Sequence, residues 1–211
     1  MNKLPKLFFK VLIVICLVSI IFMIFKYGLI STIPMVLYFF WLLSESYVFK
    51  RDANHVSGKV DNSTVVVYGY GRVSHVFVTA IVFLFFTFRK SPDIQHLILG
   101  AALLIFGILI RKIAITTLGK HYSHLIDIKN DHQIVQSGIY KYIRHPAYTG
   151  MIIASLGLSI AYSSTSSFLF LFLVLVPSIM FRINFEEKAL KEINGYKEYA
   201  LKVKKFIPFI Y

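Results

Sequence analysis

Two polar stretches hold the residues whose types could do chemistry in an otherwise apolar chain. The first is residues 119–150 and the second is residues 182–208, and both are dense in charged, aromatic and turn residues. Arg182 offers a planar guanidinium, which suits a carboxylate held through two parallel hydrogen bonds. Glu186 follows four residues later and therefore shares a helical face with Arg182. These residue types are typical of a site that binds a charged ligand.

His145 and Pro146 mark the predicted start of a helix inside the first stretch. A residue before proline is pushed out of the helical region, and proline is favoured in the first helical turn. Free backbone N–H groups at such a start favour an anion such as a carboxylate. Tyr140 and Tyr148 lie in the same segment, and their faces suit an adenine or a cationic sulfonium. An isolated histidine at this place is more often a hydrogen-bonded structural residue than a catalyst.

A structural interpretation of the same charges stays open. Arg144, Arg182 and the pair Glu186–Glu187 are compatible with an ion-pair network at the lipid headgroups, because charges at that depth are costly unless they pair or bind something.

A metal site is not predicted. Four residues are spaced loosely enough to suggest one, but no cysteine supports them. They are His121, His124, Asp127 and His132.

Two further polar signals are weak. The glycines of the segment 68–71 lack the spacing and the strand–helix context of a dinucleotide fingerprint, so we expect a turn before the third span. Glu45, near the end of the second span, fits either a pocket or an interfacial position reached by snorkelling.

The elements that must position these residues are membrane helices. Of the 211 residues, 57% are hydrophobic and 16% aromatic, and the mean hydropathy is +0.69. Such values exceed those of water-soluble domains and predict an all-α integral membrane protein. The net charge of +13 does not indicate nucleic-acid binding, because the charges lie between the spans. Cys16 is the single cysteine, so no intramolecular disulfide forms.

We predict six transmembrane helices followed by C-terminal amphipathic helices. The spans are expected at about 7–25, 28–48, 73–88, 94–116, 147–163 and 166–183. The fifth and sixth spans are joined by four residues and should form a tight hairpin. The fifth carries small residues at helical spacing, which permit close helix packing. They are Gly150, Ala154, Gly157 and Ala161.

Charge asymmetry predicts the orientation. Lys26, Arg89 and Lys90 fall on one side of the membrane and the other 20 of the 23 lysines and arginines on the opposite side. The positive-inside rule therefore places both termini and the polar stretches in the cytosol. Asn194–Gly195 should break the helix that follows the sixth span, so that residues 196–205 fold back as an amphipathic lid.

The predicted hairpin brings the two polar stretches together at one membrane boundary. The facing residues are Arg144, His145 and Tyr148 on one side and Arg182, Glu186 and Glu187 on the other. The motifs there, with their spacing, resemble those of the isoprenylcysteine carboxyl methyltransferase family, and related phospholipid methyltransferases share much of the pattern. The residues that carry the resemblance are Gly138-Ile139-Tyr140, Arg144-His145-Pro146, Tyr148-x-Gly150, Arg182, Glu186-Glu187, Gly195, Tyr196, Tyr199 and Pro208.

The resemblance implies an S-adenosylmethionine-dependent membrane methyltransferase with a cytosolic cofactor site and no metal. It covers the C-terminal part, so we divide the chain into residues 1–118, with the N-terminal spans, and residues 119–211, with the methyltransferase core. The span count resembles prokaryotic rather than eukaryotic members. Arg182 corresponds to the residue that positions the acceptor carboxylate, and Arg144 and Glu187 are further candidates. The implied cofactor contacts are His132, Gln133, Ile134, Val135, Tyr140, His145, Pro146, Ala147, Tyr148 and Glu186.

Methyl transfer to a carboxylate needs little acid–base help, because the acceptor is already ionised near neutral pH. The expected acceptor is an isoprenylcysteine-like or other lipophilic molecule, or a lipidated protein, that enters from the bilayer among the membrane lipids. Two other enzymes stay open: a phospholipid or amine N-methyltransferase and an NADPH-dependent membrane sterol-type reductase. A non-enzymatic scaffold or transporter component is the remaining alternative.

Overall fold

The computed structural model describes residues 3–53, 62–86, 92–122 and 134–206, and all regular elements in these ranges are helical. Short 3₁₀ turns lie at Gly119–His121 and Gly138–Lys141, and a π-helical stretch lies at Leu171–Leu175. The α-helices are α1 Lys3–Ala53, α2 Asn62–Phe86, α3 Ile94–Leu118, α4 Pro146–Ala161, α5 Thr165–Phe170, α6 Val176–Leu190 and α7 Tyr196–Lys202.

Four helical stretches are long and apolar enough to cross a bilayer: Ile13–Glu45, Val66–Phe83, Ile94–Leu118 and Thr165–Leu190. The shorter apolar helix α4 packs among them. A straight helix of 33 residues would extend about 50 Å, well beyond the ~30 Å of a hydrocarbon core. Gly28 interrupts α1 with non-helical dihedrals (φ 81°, ψ 169°) at the predicted boundary between the first two spans. The predicted all-α membrane fold is confirmed.

Helix α2 is longer than predicted, and the expected turn at residues 68–71 is wrong. Both glycines of this segment lie inside the helix. Gly71 faces α6, where a Cβ would come within 2.6 Å of the Ser178 Oγ. The glycine therefore serves close helix packing. As a consequence, Tyr68 and Arg72 belong to a buried helix rather than to a cytosolic loop.

Helices α3 and α4 pack backbone to backbone, as the spacing of small residues on α4 predicted. A Cβ on Gly107 would lie 2.5 Å from the Gly150 carbonyl oxygen, and one on Gly157 would lie 2.5 Å from the Leu104 nitrogen. Only glycine permits this approach. The contact fixes Arg111, which lies one turn beyond Gly107, against the first turn of α4.

The predicted hairpin between α4 and α5 is present. Ser163 adopts a positive φ of 45° in the connecting turn, and the Ser164 side chain caps α5 by accepting a hydrogen bond from the Ser167 nitrogen. The following helix continues to Leu190, beyond the predicted end at residue 183. Pro177 lacks an N–H group and crowds the preceding turn, which gives a physical reason for the π-helical stretch before it.

The C-terminal segment folds back as predicted, but its helix is shorter. Gly195 takes a left-handed conformation (φ 83°) after α6, and α7 ends at Lys202 rather than at residue 205. The chain then runs extended beside the start of α4, where the Arg144 nitrogen donates to the Lys204 carbonyl (2.8 Å) and the His145 nitrogen donates to the Lys205 carbonyl (3.0 Å). These backbone bonds explain why the helix stops early.

Candidate functional site

The start of α4 is held by an ion cluster around Glu187. Its Oε1 accepts from Arg144 Nη2 (3.0 Å) and lies 3.1 Å from His145 Nε2, and its Oε2 lies 3.1 Å from Lys205 Nζ. Arg144 also donates to the Ala200 carbonyl (2.7 Å). This cluster ties the C-terminal segment to helices α4 and α6. It matches the structural interpretation for Arg144 and Glu187.

A second cluster, formed by Tyr148, Arg182 and Glu186, lies beside it. The Tyr148 hydroxyl donates to Glu186 Oε2 at 2.8 Å and accepts from Arg182 Nε at 3.3 Å. Arg182 Nη1 donates to the Thr64 hydroxyl on α2 at 2.7 Å. Arg182 is buried, with 3% of its surface exposed. The hairpin thus brings together the arginine, tyrosine and glutamate that the sequence placed at one site.

The 3₁₀ turn before α4 supplies a small apolar cluster. Tyr140 packs with Ala147 and Ala114, and Val135 lies against them. Burial, reinforced by the negative charge of Glu186, raises the pKa of Tyr140, so its ring stays neutral at cellular pH. The Tyr199 hydroxyl donates to the Tyr140 carbonyl at 2.6 Å, and burial raises the pKa of Tyr199 to about 12. This donor therefore stays protonated and fixes the turn.

The other predicted cofactor contacts divide into two groups. Ile134 is half-buried just ahead of Val135, and Pro146 occupies the first turn of α4 as expected. His132 and Gln133 lie outside the described residues, as do His124 and Asp127 of the loosely spaced set considered for a metal. Within the described ranges, no three His, Cys, Asp or Glu side chains are grouped so that they could hold a metal ion.

A third cluster was missed by the sequence. Glu45 of α1 is 8% exposed and pairs with both Arg72 of α2 and Arg111 of α3, so the snorkelling alternative for Glu45 is wrong. Arg111 Nη2 contacts Glu45 Oε2 at 3.0 Å, and Arg111 Nη1 donates to the Ala147 carbonyl at 3.1 Å. The sequence does contain a signal for this cluster, because ionisable residues within apolar helices indicate buried charge pairs.

The three clusters join helices from both halves of the chain around the first turn of α4. Tyr148 of the second cluster connects α4 to α2, because its ring packs edge-on against the Tyr68 ring with the centroids 5.8 Å apart. The site therefore combines a carboxylate, Glu186, with guanidinium groups and neutral aromatic faces in a mostly water-excluded place. Such an arrangement can hold a polar ligand beside an apolar one.

Comparison with known proteins agrees with this geometry. Residues 99–192, which span α3 to the end of α6, match the model of the isoprenylcysteine carboxyl methyltransferase (ICMT) family. Residues 99–192, a little under half of the chain, are thus similar to the ICMT family. The resemblance noted from the motifs around Arg144 and Glu186 is thereby confirmed.

Among curated relatives, protein-S-isoprenylcysteine O-methyltransferase B of Arabidopsis thaliana is 36% identical over 115 residues, 53% of this chain and 58% of that protein. The enzyme of Saccharomyces cerevisiae is 37% identical over 54% of this chain and 49% of its own length. The chain thus spans about half the length of these two relatives. A probable protein-S-isoprenylcysteine O-methyltransferase of Oryza sativa is 28% identical over 81% of this chain and 88% of its own.

A solved ICMT structure has a similar fold. The eukaryotic intramembrane Ras methyltransferase ICMT superposes with a TM-score of 0.58 at 28% sequence identity, covering 91% of this chain and 68% of that one. The similarity therefore includes the N-terminal helices, for which the sequence motifs gave no resemblance. Multi-pass insertion in a membrane agrees with this match and with the four long apolar helical stretches.

Proposed function

We propose that this protein is an S-adenosylmethionine-dependent carboxyl O-methyltransferase that acts on an isoprenylcysteine-like or other lipophilic acceptor. The observation that carries the proposal is the cluster of buried Arg182 with half-buried Tyr148 and Glu186, which lies between the start of α4 and α6. The match of residues 99–192 to the ICMT family model and the names of the relatives support the reaction type.

The residues around the first turn of α4 fit the cofactor. Tyr140 and Tyr148 present neutral aromatic faces, Ala147 packs against Tyr140, and Glu186 can accept hydrogen bonds from hydroxyl or amino groups. S-Adenosylmethionine, when bound, supplies an electrophilic methyl group on a sulfonium. We assign its binding to residues 132–135, Tyr140, the stretch 145–148 and Glu186.

Arg182 is proposed to position the acceptor carboxylate. The carboxylate is ionised at cellular pH, so the work left to the protein is alignment and exclusion of water. The contacts of Arg182 with the Thr64 and Tyr148 hydroxyls fix the orientation of the guanidinium. The acceptor's hydrocarbon tail would reach the site sideways from the bilayer. We place the site at the cytosolic face, on the strength of the charge asymmetry.

The Arg182→Ala variant tests the proposal. Turnover of N-acetyl-S-farnesylcysteine with methyl-labelled S-adenosylmethionine should fall at least about 100-fold, because a charged bidentate contact is lost in a buried site. Cofactor binding, measured by calorimetry on the detergent-purified protein, should change little. Lys191→Ala, which removes an exposed cation from the end of α6, is the matched control.

Two outcomes would contradict the assignment. Normal turnover in Arg182→Ala would remove the arginine from the site. Binding of NADPH in place of S-adenosylmethionine by the wild-type protein would replace methyl transfer with the reductase alternative.

A further inference from the structure

Two buried side chains of α2 have hydrogen-bond donors without a partner in the described part of the chain. Arg72 is 5% exposed and bonds Glu45 through Nη1, but its Nε and Nη2 have no partner there. The hydroxyl of Tyr68, one helical turn away, is also unpartnered, and this residue is 7% exposed. Buried polar groups in native proteins are nearly always satisfied, so donors left open in an apolar interior point to a ligand.

These donors border the proposed acceptor site. The Arg72 guanidinium carbon lies 5.7 Å from the centre of the Tyr68 ring, and that ring packs edge-on against Tyr148. Thr64, Tyr68 and Arg72 recur every fourth residue and therefore share one face of α2. Thr64 accepts the hydrogen bond from Arg182. Arg72 thus lies two turns, about 12 Å, further along the helix than the contact with Arg182.

The charge and geometry of these unpartnered donors favour an anion as the ligand. Among the described residues, Glu45 supplies one negative charge to two guanidinium groups, Arg72 and Arg111, so these three side chains together carry a formal charge of +1. An uncompensated charge in the membrane interior is costly, and a bound anion would remove it. Nε and Nη2 form one edge of the guanidinium, and that edge matches the two oxygens of a carboxylate.

We propose that Arg72 and Tyr68 form a second anion-binding position for the methyl acceptor, separate from the carboxylate that Arg182 aligns. This inference rests on the proposed function. The preferred acceptor is therefore a lipophilic molecule with two anionic groups, of which the one at Arg182 is methylated. The second group determines specificity, because an acceptor without it leaves the donors of Arg72 and Tyr68 unsatisfied.

Two matched acceptors test the proposal in phosphatidylcholine nanodiscs. N-Acetyl-S-farnesylcysteine carries one carboxylate, and N-succinyl-S-farnesylcysteine carries a second one several bonds away. We expect kcat/KM of the wild-type protein to be roughly tenfold or more higher for the succinyl compound, the usual size of a charged hydrogen bond. Tyr68→Phe should reduce this preference severalfold and Arg72→Gln should abolish it. Tyr142→Phe, at an exposed tyrosine, is the control.

Equal kcat/KM values for the two acceptors in the wild-type protein would overturn the proposal, as would a preference that survives in both variants. Tyr68→Phe decides the matter if Arg72→Gln does not fold. If neither acceptor is methylated, the proposed function itself fails, and binding gives the answer. The succinyl compound should then still raise the Tm of the wild-type protein more than its dimethyl ester does, and Tyr68→Phe should remove the difference. If the two compounds raise the Tm equally, the anion site is overturned.

Discussion

Glu45 pairs with two arginines from two different helices, and this makes it the residue on which the buried charge cluster depends. Both of its oxygens are engaged: Oε2 accepts from Arg72 and Arg111, and Oε1 accepts from Arg111. Removing one partner of a buried ion cluster is far more costly than losing a surface pair, because the remaining charges stay desolvated. The packing of helices α1, α2 and α3 against one another therefore depends on this side chain.

Replacement of Glu45 by Gln should destabilise the protein by about 3–5 kcal/mol, since two guanidinium groups would remain buried without their counter-charge. Thermal unfolding in detergent measures the effect as a lower Tm. Glu192→Gln, at an exposed glutamate after α6, is the control and should leave Tm unchanged. Equal Tm values for Glu45→Gln and the wild-type protein would show that the cluster does not stabilise the fold.

Site residues could be predicted from the sequence where motif spacing and chain connectivity agree. Tyr148, Arg182 and Glu186 meet because a four-residue connection forces their helix ends together. Arg72 lies just before the predicted span at 73–88 and Arg111 near the end of the span at 94–116, and both were counted among the cytosolic charges. Only the packing of α2 and α3 shows that both side chains point inward to Glu45.

At the scale of elements, the contact between α3 and α4 determines where the site forms. Gly107 and Gly150 let the two backbones approach so closely that Arg111, one turn further along α3, reaches the Ala147 carbonyl. Helix association in lipid depends on such close packing, because lipid tails are as apolar as the helix surfaces and the hydrophobic effect does not drive the helices together.

Gly107→Ala should therefore separate the helices and weaken both folding and turnover. Its Cβ would lie 2.5 Å from the Gly150 carbonyl oxygen, a distance that backbone atoms cannot accommodate without moving. We expect loss of monodisperse protein in size-exclusion chromatography and a Tm lower by several degrees. Gly69→Ala is the matched control, because a Cβ there meets nothing within 4 Å and alanine favours the helix. A Gly107→Ala protein as stable as Gly69→Ala would contradict the packing argument.

Hydrophobic length predicted most of the helices but not all of their ends. The spans at 94–116 and 147–163 agree with α3 and α4 to within two residues. Helix α2 was placed too late because its glycines indicate a turn when only the local sequence is considered. The role of Gly71 in packing against α6 depends on Ser178, more than 100 positions away, which local patterns do not contain.

At the scale of the whole molecule, large apolar side chains cover the outer surface of the helices, among them Phe25, Phe40 and Leu173, each more than half exposed. In water such a surface would aggregate, whereas lipid solvates it. The membrane character of the chain was therefore predictable from composition alone. The division at residue 118 stays a prediction, and side chains from before it, Glu45 and Arg72, contribute to the same group of clusters.

The predicted orientation can be tested with single cysteines in a Cys16→Ser background. Ser137→Cys and Gln95→Cys each introduce an exposed thiol, at opposite sides of the membrane according to the charge asymmetry. A membrane-impermeant maleimide applied to intact cells should label Gln95→Cys, and label Ser137→Cys only after permeabilisation. The reverse pattern would invert the topology and place the site outside the cytosol.

The pairing of residues 203–206 with the start of α4 also has a consequence for biosynthesis. The backbone N–H groups of Arg144 and His145 find their acceptors in Lys204 and Lys205, and these are translated after every span. A chain whose synthesis stops after α6 can already be inserted in the bilayer, yet its first turn of α4 lacks these partners. The site is therefore completed only when residues 203–206 have followed the surrounding helices out of the ribosome.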